Sequence, residues 1–318
     1  MYPLKLKYHA KTALWGGDTL KRQWGKSCDF DKLAETWELT VRSEATNVIE
    51  NGPLAGASLG AYLTQNPLAI TNGNMGKFFP LLIKFIDARD DLSVQIHPDD
   101  AYARDVENDQ GKTEMWYIVE AEENAQIIYG LRDGVGANDF QKAFEDGRIF
   151  DAMKSVKIKA GESYFIPSGM IHAIGSGCLI AEIQQNSDLT YRVYDYNRVG
   201  ADGKTRELHT KKALDVIRPF SDKEINGIRY SRKPTHNAGE CLAACPYFEV
   251  ARLIPTDTPT ILNVTAKSFH HLLCVGGEGE IVCGGEHYPI VRGDSYFLPA
   301  GMGEYSLSGS AIVLLSTI

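Results

Sequence analysis

Residues 161–177 read GESYFIPSGMIHAIGSG, and residues 293–309 read GDSYFLPAGMGEYSLSG. Aligned without a gap, nine of the 17 positions are identical, and the matches include Ser, Tyr, Phe and Met as well as the turn-formers Gly and Pro. A shared hairpin idiom explains matching Gly and Pro but not the rest, so the segment reads as an internal duplication. The copies lie about 130 residues apart, too far for a solenoid unit and suited to two copies of a small all-β domain. In each copy an apolar run (Ser163 to Ile166 in the first) meets a tight turn and then a second strand. In the first copy that second strand opens with His172, which the turn holds at a fixed point over the sheet.

The spacing G-x5-P-x-G-x2-H-x2-G, from Gly161 through Pro167, Gly169 and His172 to Gly175, resembles the second motif of a cupin barrel. A cupin requires a first motif upstream that supplies more metal ligands. Around residues 91–100 (DLSVQIHPDD) the side chains alternate: Leu92, Val94 and Ile96 share one face, Ser93, Gln95 and His97 the other. Two ligand-type residues two apart on a strand point the same way, as chelation requires. Further on, KTEMWYIV (112–119) places Lys112 and Glu114 on one face of another strand. Gln95, His97, Glu114 and His172 together form a nitrogen and oxygen donor set without thiolate, suited to Zn, Mn, Fe or Ni. An open position for water or substrate would remain. Singly, each residue has a blander explanation as a helix cap, a turn histidine or a surface acid; at this spacing and facing, the metal site is the better reading.

The rest of the chain agrees with a mainly β fold: two cupin (jelly-roll) barrels with a few short helices. Short strands are expected at 80–87, 92–97, 114–120, 125–129, 163–167, 178–184 and 189–196. Helices are expected at 98–107, led by Pro98, Asp99 and Asp100, at 138–146, and at 209–217 with Leu208, Ala213 and Ile217 as its buried stripe. A boundary near 220–245 divides the chain into an N-terminal catalytic metal-binding cupin domain, 1–235, and a degenerate C-terminal one, 236–318. In the second copy Glu304 stands where His172 stands in the first, and His270 and His271 are not preceded by a Gln-x-His pair. One metal per chain is therefore expected.

Bulk properties limit the partners. With 318 residues, 43% hydrophobic, the chain can bury a sizeable core. A net charge of −8 argues against nucleic-acid binding and permits a small anionic substrate in a locally basic pocket. Six cysteines without a C-x-x-C pair, no signal-like leader and no run of about 18 apolar residues lead us to expect a soluble cytoplasmic protein without a membrane partner. The sequence specifies no oligomeric state.

Segments along nearly the whole chain resemble the type I phosphomannose isomerases in their short bacterial form. They are WGGDTL (15–20), ETWEL (35–39), NGPLAG (51–56), FPLLIKFIDA (79–88), LSVQIHPDD (92–100), GKTEMWY (111–117) and QQNSDLTYRVYDYNR (184–198). The resemblance implies a mannose-6-phosphate isomerase that interconverts mannose 6-phosphate and fructose 6-phosphate through a cis-enediol. It implies one zinc on Gln95, His97, Glu114 and His172, an essential Arg192, and Lys84, Ser93 and Lys112 at the substrate pocket. Arg192 and Lys112 would stabilise the enediolate. The proton-moving base stays open among a zinc-bound water, Glu114 and a histidine. Arg192 also has a case of its own: Thr190, Arg192 and Tyr194 alternate on one strand face, and an inward guanidinium suits a sugar phosphate. Asp195, Tyr196 and Asn197 read as turn and solvated surface, Arg198 less so. An iron dioxygenase would carry a histidine in place of Gln95, and a non-catalytic sugar-binding cupin would have no need of Arg192.

Overall fold

The computed structural model describes residues 1–73, 79–200, 203–235, 238–256 and 258–318. The expected domain boundary at 235/236 adjoins residues 236 and 237, which lie outside the described residues.

The chain is mainly β, arranged as two pairs of sheets. The first pair is a six-stranded sheet, with Leu81–Ala88, Glu114–Ala121 and Cys178–Gln185 at its centre, and a five-stranded sheet containing Val94–Ile96, Gln126–Leu131, His172–Ile174 and Tyr191–Tyr194. The second pair is a seven-stranded sheet containing His270–Gly276, Ser295–Leu298 and Ile312–Thr317, and a four-stranded sheet containing Thr260–Val264 and Gly303–Gly309. Every described strand pairing is antiparallel, and the expected strands appear with their ends shifted by a few residues. No helix of the described residues is long and apolar enough to cross a membrane.

The two copies of the repeat superpose in backbone logic. Gly161, Gly169 and Gly177 all have positive φ, and so do their counterparts Gly293, Gly301 and Gly309. At Gly169 the requirement is double: φ is +85°, and a Cβ would stand 2.8 Å from the Val216 carbonyl oxygen. Its N–H donates to the His97 carbonyl at 2.8 Å, so the turn of one motif is fastened to the histidine of the other.

Core composition differs between the two pairs. The space between the seven- and four-stranded sheets is filled by Leu262, Leu272, Ile281, Tyr296, Tyr305 and Leu315, among others. The facing surfaces of the first pair instead carry Lys84, Glu114, Trp116, Glu182 and His172, all buried. Behind them, Ile83, Phe85, Met115, Tyr117 and Ile183 on the opposite face of the six-stranded sheet join Phe248, Phe269 and Phe297 in one apolar layer between the two halves.

Helices are short, and those at Ala137–Glu145, Ile149–Ala152 and Thr210–Val216 pack on the five-stranded sheet. Asp99 caps the segment after Pro98, accepting the Tyr102 N–H; residues Asp100–Tyr102 are α-helical and Ala103–Glu107 widen into a π turn. Residues Ala137–Glu145 and Thr210–Val216 match two expected helices. The buried stripe of the latter is corrected in one place: Ala213 and Ile217 are buried, but Leu208 is 45% exposed. Leu208 precedes the helix, in a strap that crosses Arg192. Leu92 also departs from expectation, joining the core cluster opposite to that of Val94 and Ile96, because the regular strand begins only at Val94.

The first fifty residues tie the halves together. Strand Leu4–Lys7 pairs with Ser295–Leu298 and with Val48–Ile49, so it extends the seven-stranded sheet. Nearby, Lys26 Nζ lies 2.8 Å from Glu38 Oε1, with both side chains buried, and also donates to the Gly293 carbonyl at 2.9 Å. The Ser295 hydroxyl donates to the Glu38 carbonyl, and His271 Nε2 lies 2.8 Å from the same hydroxyl. Removing one member of a buried pair leaves a charge without compensation. We expect Lys26→Met to destabilise the fold by roughly 3–5 kcal/mol and Lys26→Met/Glu38→Leu by clearly less. Urea denaturation of the two variants checks this; equal losses would mean the pair is not the source.

Candidate metal centre and active site

Three side chains converge between the six- and five-stranded sheets. His97 follows Val94–Ile96, Glu114 opens Glu114–Ala121, and His172 opens His172–Ile174. Their ligand atoms all lie within 4.8 Å of one another, and all three residues are buried. His97 Nδ1 is 2.7 Å from the Leu189 carbonyl and His172 Nδ1 is 2.9 Å from the Met170 carbonyl. A carbonyl only accepts, so each Nδ1 carries its proton and each neutral ring presents the Nε2 lone pair inward. Those two Nε2 atoms stand 3.1 Å apart. Glu114 Oε1 is 3.4 Å from His172 Nε2, and Oε2 is 3.5 Å from His97 Nε2.

Two lone pairs and a carboxylate facing one another in a dry interior repel unless a cation or proton lies among them. Without an ion, the electrostatics record that conflict. Burial, then the charge of Lys112, holds His97 well below its ordinary value, and burial brings His172 down to about 4. Burial, then the neighbouring Glu182, pushes Glu114 up to about 8. Glu114 Oε1 has no hydrogen-bond partner among the described residues. Neutral imidazoles fixed through Nδ1 and an orphaned carboxylate oxygen fit a divalent cation, and the backbone carbonyls behind the rings are the outer support such ligands use.

The other expected residues gather beside this cluster. Gln95 is the Cα partner of both His172 and Arg192, on either side of its short strand. Gln95, Ser93, Lys84, Lys112 and Arg192 line one cavity of about 310 Å³, at the small end of the range for small-molecule sites. Lys112 Nζ lies 2.9 Å from Glu114 Oε2. Lys84 lies 3.0 Å from Glu182 and 3.5 Å from Glu35; burial opposes its charge, but Glu182 and then Glu35 outweigh it and keep the ammonium protonated. Arg192 is half-buried and donates from Nη1 to the Glu207 carbonyl at 3.0 Å.

Two readings of this region are corrected. Tyr194 does not continue the cavity face of Thr190 and Arg192: the pairing register shifts between Arg192 and Tyr194, which turns Tyr194 against Phe150 and Tyr196. Asp195 is not solvated surface; it is buried and holds both Arg198 and Arg206. Tyr196 and Asn197 do form a turn, with φ of 53° and 52°.

Several cavity residues were not singled out from sequence. Glu182 is buried, accepts from Trp116 Nε1 at 2.9 Å, and is ionised: burial raises it, but Lys84 and then Lys112 hold it down. Its signal is a lone acid inside the apolar run CLIAEI that opens the strand. Glu35, Asp188 and Arg206 also line the cavity and carry no comparable local signature. In the second pair of sheets His270 meets the Tyr305 hydroxyl at 2.9 Å and His271 meets Ser295, from opposite faces of one strand. Glu304 is exposed and the neighbouring Tyr305 takes the inward position.

Comparison with known proteins supplies the relationship. Residues 3–124 match the model of the phosphomannose isomerase type I catalytic domain, and residues 241–318 that of the mannose-6-phosphate isomerase cupin domain. The chain is 36% identical to mannose-6-phosphate isomerase ManA of Bacillus subtilis over 99% of this chain and 98% of that protein. It is 31% identical to the mannose-6-phosphate isomerase of Streptococcus mutans, over 99% and 98%. A crystal structure of mannose 6-phosphate isomerase from Bacillus subtilis matches with a TM-score of 0.88 at 31% identity, covering all of both chains. A phosphomannose isomerase structure from Salmonella typhimurium shares the fold at 16% identity, with a TM-score of 0.80 over 99% of this chain and 98% of that one. Similarity over its full length to these relatives, together with the two domain matches, establishes that this chain belongs to the type I phosphomannose isomerase family.

Proposed function

We propose that this chain is a zinc-dependent mannose-6-phosphate isomerase that interconverts mannose 6-phosphate and fructose 6-phosphate through a cis-enediol. The observation that carries the reading is the convergence of the His97 and His172 lone pairs on the Glu114 carboxylate, at the wall of a cavity that also holds Lys112 and Arg192. Gln95, His97, Glu114 and His172 would hold the ion. When bound, zinc supplies a Lewis acid that polarises the oxygens on C1 and C2.

The remaining work falls to the protein. Moving a proton between C1 and C2 places negative charge on the substrate oxygens, and preorganised cations stabilise such charge most strongly where water is excluded. Lys112 is buried beside Glu114, and Arg192 lines the same cavity with a buried Nε that has no partner among the described residues. Ser93 and Lys84 contact the sugar in this reading, Lys84 as a fixed charge because two acids hold it protonated. Glu182 joins the candidates for proton acceptor, being ionised, buried and on the cavity wall. The domains are read as 1–235, catalytic, and 236–318, supporting. All six cysteines are free thiols, which suits a reducing cytoplasm.

A coupled assay following fructose 6-phosphate formed from mannose 6-phosphate tests the assignment; a folded, zinc-loaded chain without turnover refutes it. Dialysis against a chelator should abolish activity and zinc should restore it. Metal analysis should give about one zinc per chain, falling towards zero in His172→Ala. A content near two that falls only to one would place a second metal in the other half. Arg192→Ala should lower kcat on the order of 10²–10³-fold with zinc content and fold unchanged. A raised KM at unchanged kcat would make Arg192 a binding residue only.

A further inference from the structure

The charges lining the cavity fall into two zones. At its buried end each ammonium has its own carboxylate, Lys84 with Glu182 and Glu35, and Lys112 with Glu114. At the more exposed end stand Arg192 and Arg206, and Arg198, which does not line the cavity, meets Arg206 at Asp195. Two of these guanidinium groups, Arg206 and Arg198, share one buried carboxylate, Asp195, and Arg192 has no carboxylate bonded to it among the described residues. Arg206 donates to Asp195 twice, Nε to Oδ2 at 2.7 Å and Nη2 to Oδ1 at 2.5 Å, and Arg198 Nη2 reaches Oδ1 at 2.5 Å. The other nearby acid, Glu207, turns its side chain to solvent, 82% exposed, and offers Arg192 only its carbonyl. Asp188 on the cavity wall faces Lys11 at 3.9 Å.

Arg198 spends its donors on the protein: Nε on the Asp195 carbonyl, Nη1 on the Asp91 carbonyl and Nη2 on the Asp195 carboxylate. Arg206 does not. Its Nε edge is fixed by Asp195, while Nη1 has no protein partner among the described residues, and its side chain is 35% exposed. A guanidinium clamped on one edge and open on the other is preorganised to receive an anion. The strap that carries it is itself anchored to the strand of Arg192: the His209 N–H donates to the Arg192 carbonyl at 2.7 Å and Val199 bridges Thr205.

We propose that Arg206, positioned by Asp195, binds the phosphate of the substrate and sets the preference for a phosphorylated over a free aldose. The assignment rests on reading the cavity as the isomerase site. It explains why positive charge is left unbalanced at the open end and balanced at the buried end: a dianion completes the first, while the sugar oxygens meet the second.

The test compares kcat and KM for mannose 6-phosphate in wild type, Arg206→Ala, Arg206→Gln and Arg206→Lys, with inorganic phosphate as a competitive inhibitor and zinc content as the check on the site. Loss of charged hydrogen bonds to phosphate should raise KM and the phosphate inhibition constant roughly ten- to hundredfold in the Ala and Gln variants. The effect on kcat should be several times smaller, and Lys should recover part of the loss. Asp195→Asn should shift KM in the same direction. KM and phosphate inhibition within about twofold of wild type in a zinc-loaded variant would overturn the assignment, as would a fall in kcat alone. A wild type that turns over no mannose 6-phosphate would instead refute the proposed function, and direct calorimetry of inorganic phosphate would still decide whether Arg206 holds an anion.

Discussion

Two imidazole lone pairs held 3.1 Å apart beside a buried carboxylate are the constraint around which the first half of the molecule is built. Neither ring is free to turn away, because each Nδ1–H is committed to a backbone carbonyl, and neither carbonyl can move independently of its strand. The turn at Gly169 adds a third tie by donating to the His97 carbonyl. The backbone thus holds the two rings face to face, and a cation at the centre would convert their repulsion to attraction. The same logic extends outward. Glu114, Glu182, Lys84 and Lys112 are all buried, and each acid lies against at least one ammonium. A dehydrated charge is tolerated only with such a partner, so the acids and lysines constrain one another's positions as tightly as packing would.

The duplicated half shows what the same backbone becomes without those charges. Its three motif glycines keep the positive φ of the first copy, so the turn geometry survived. Its interior did not stay polar: Leu, Ile and Tyr fill the space, and Tyr305 occupies the inward position next to an outward Glu304. Backbone turn chemistry and interior chemistry are separable, because the former depends on a few glycines and the latter on every second residue of each strand.

That separation also explains what could be read from sequence. Turn glycines, strand alternation and the spacing of His97, Glu114 and His172 are local, and so the strands, the repeat and the convergence of those three side chains were legible. Asp195 was not: a single acid after a strand looks like surface, and only the return of the strap through Arg206 buries it. The cavity position of Arg206 depends on the same return. The bulge that turns Tyr194 away from Arg192 leaves alternation intact in the sequence while breaking it in the sheet. Leu208 has the spacing of a buried helical residue but lies outside the helix. The crossing of Leu4–Lys7 into the far sheet depends on pairing across nearly the whole chain, beyond the reach of any local pattern.

The second half has a physical reason to persist. A strand that carries Lys84, Glu114 or Glu182 on one face must place residues 83 and 85, 115 and 117, or 181 and 183 on the other. Those residues are Ile, Phe, Met, Tyr, Ala and Ile, and they cannot face water over a whole sheet. They are covered by Phe248, Phe269 and Phe297 from the second half, in one continuous apolar layer. The buried pair Lys26–Glu38 and the Leu4–Lys7 strand keep the two halves in register. Charges assembled on one face of the central sheet therefore depend on apolar packing on the other, and the second half contributes to the candidate site without lining its cavity.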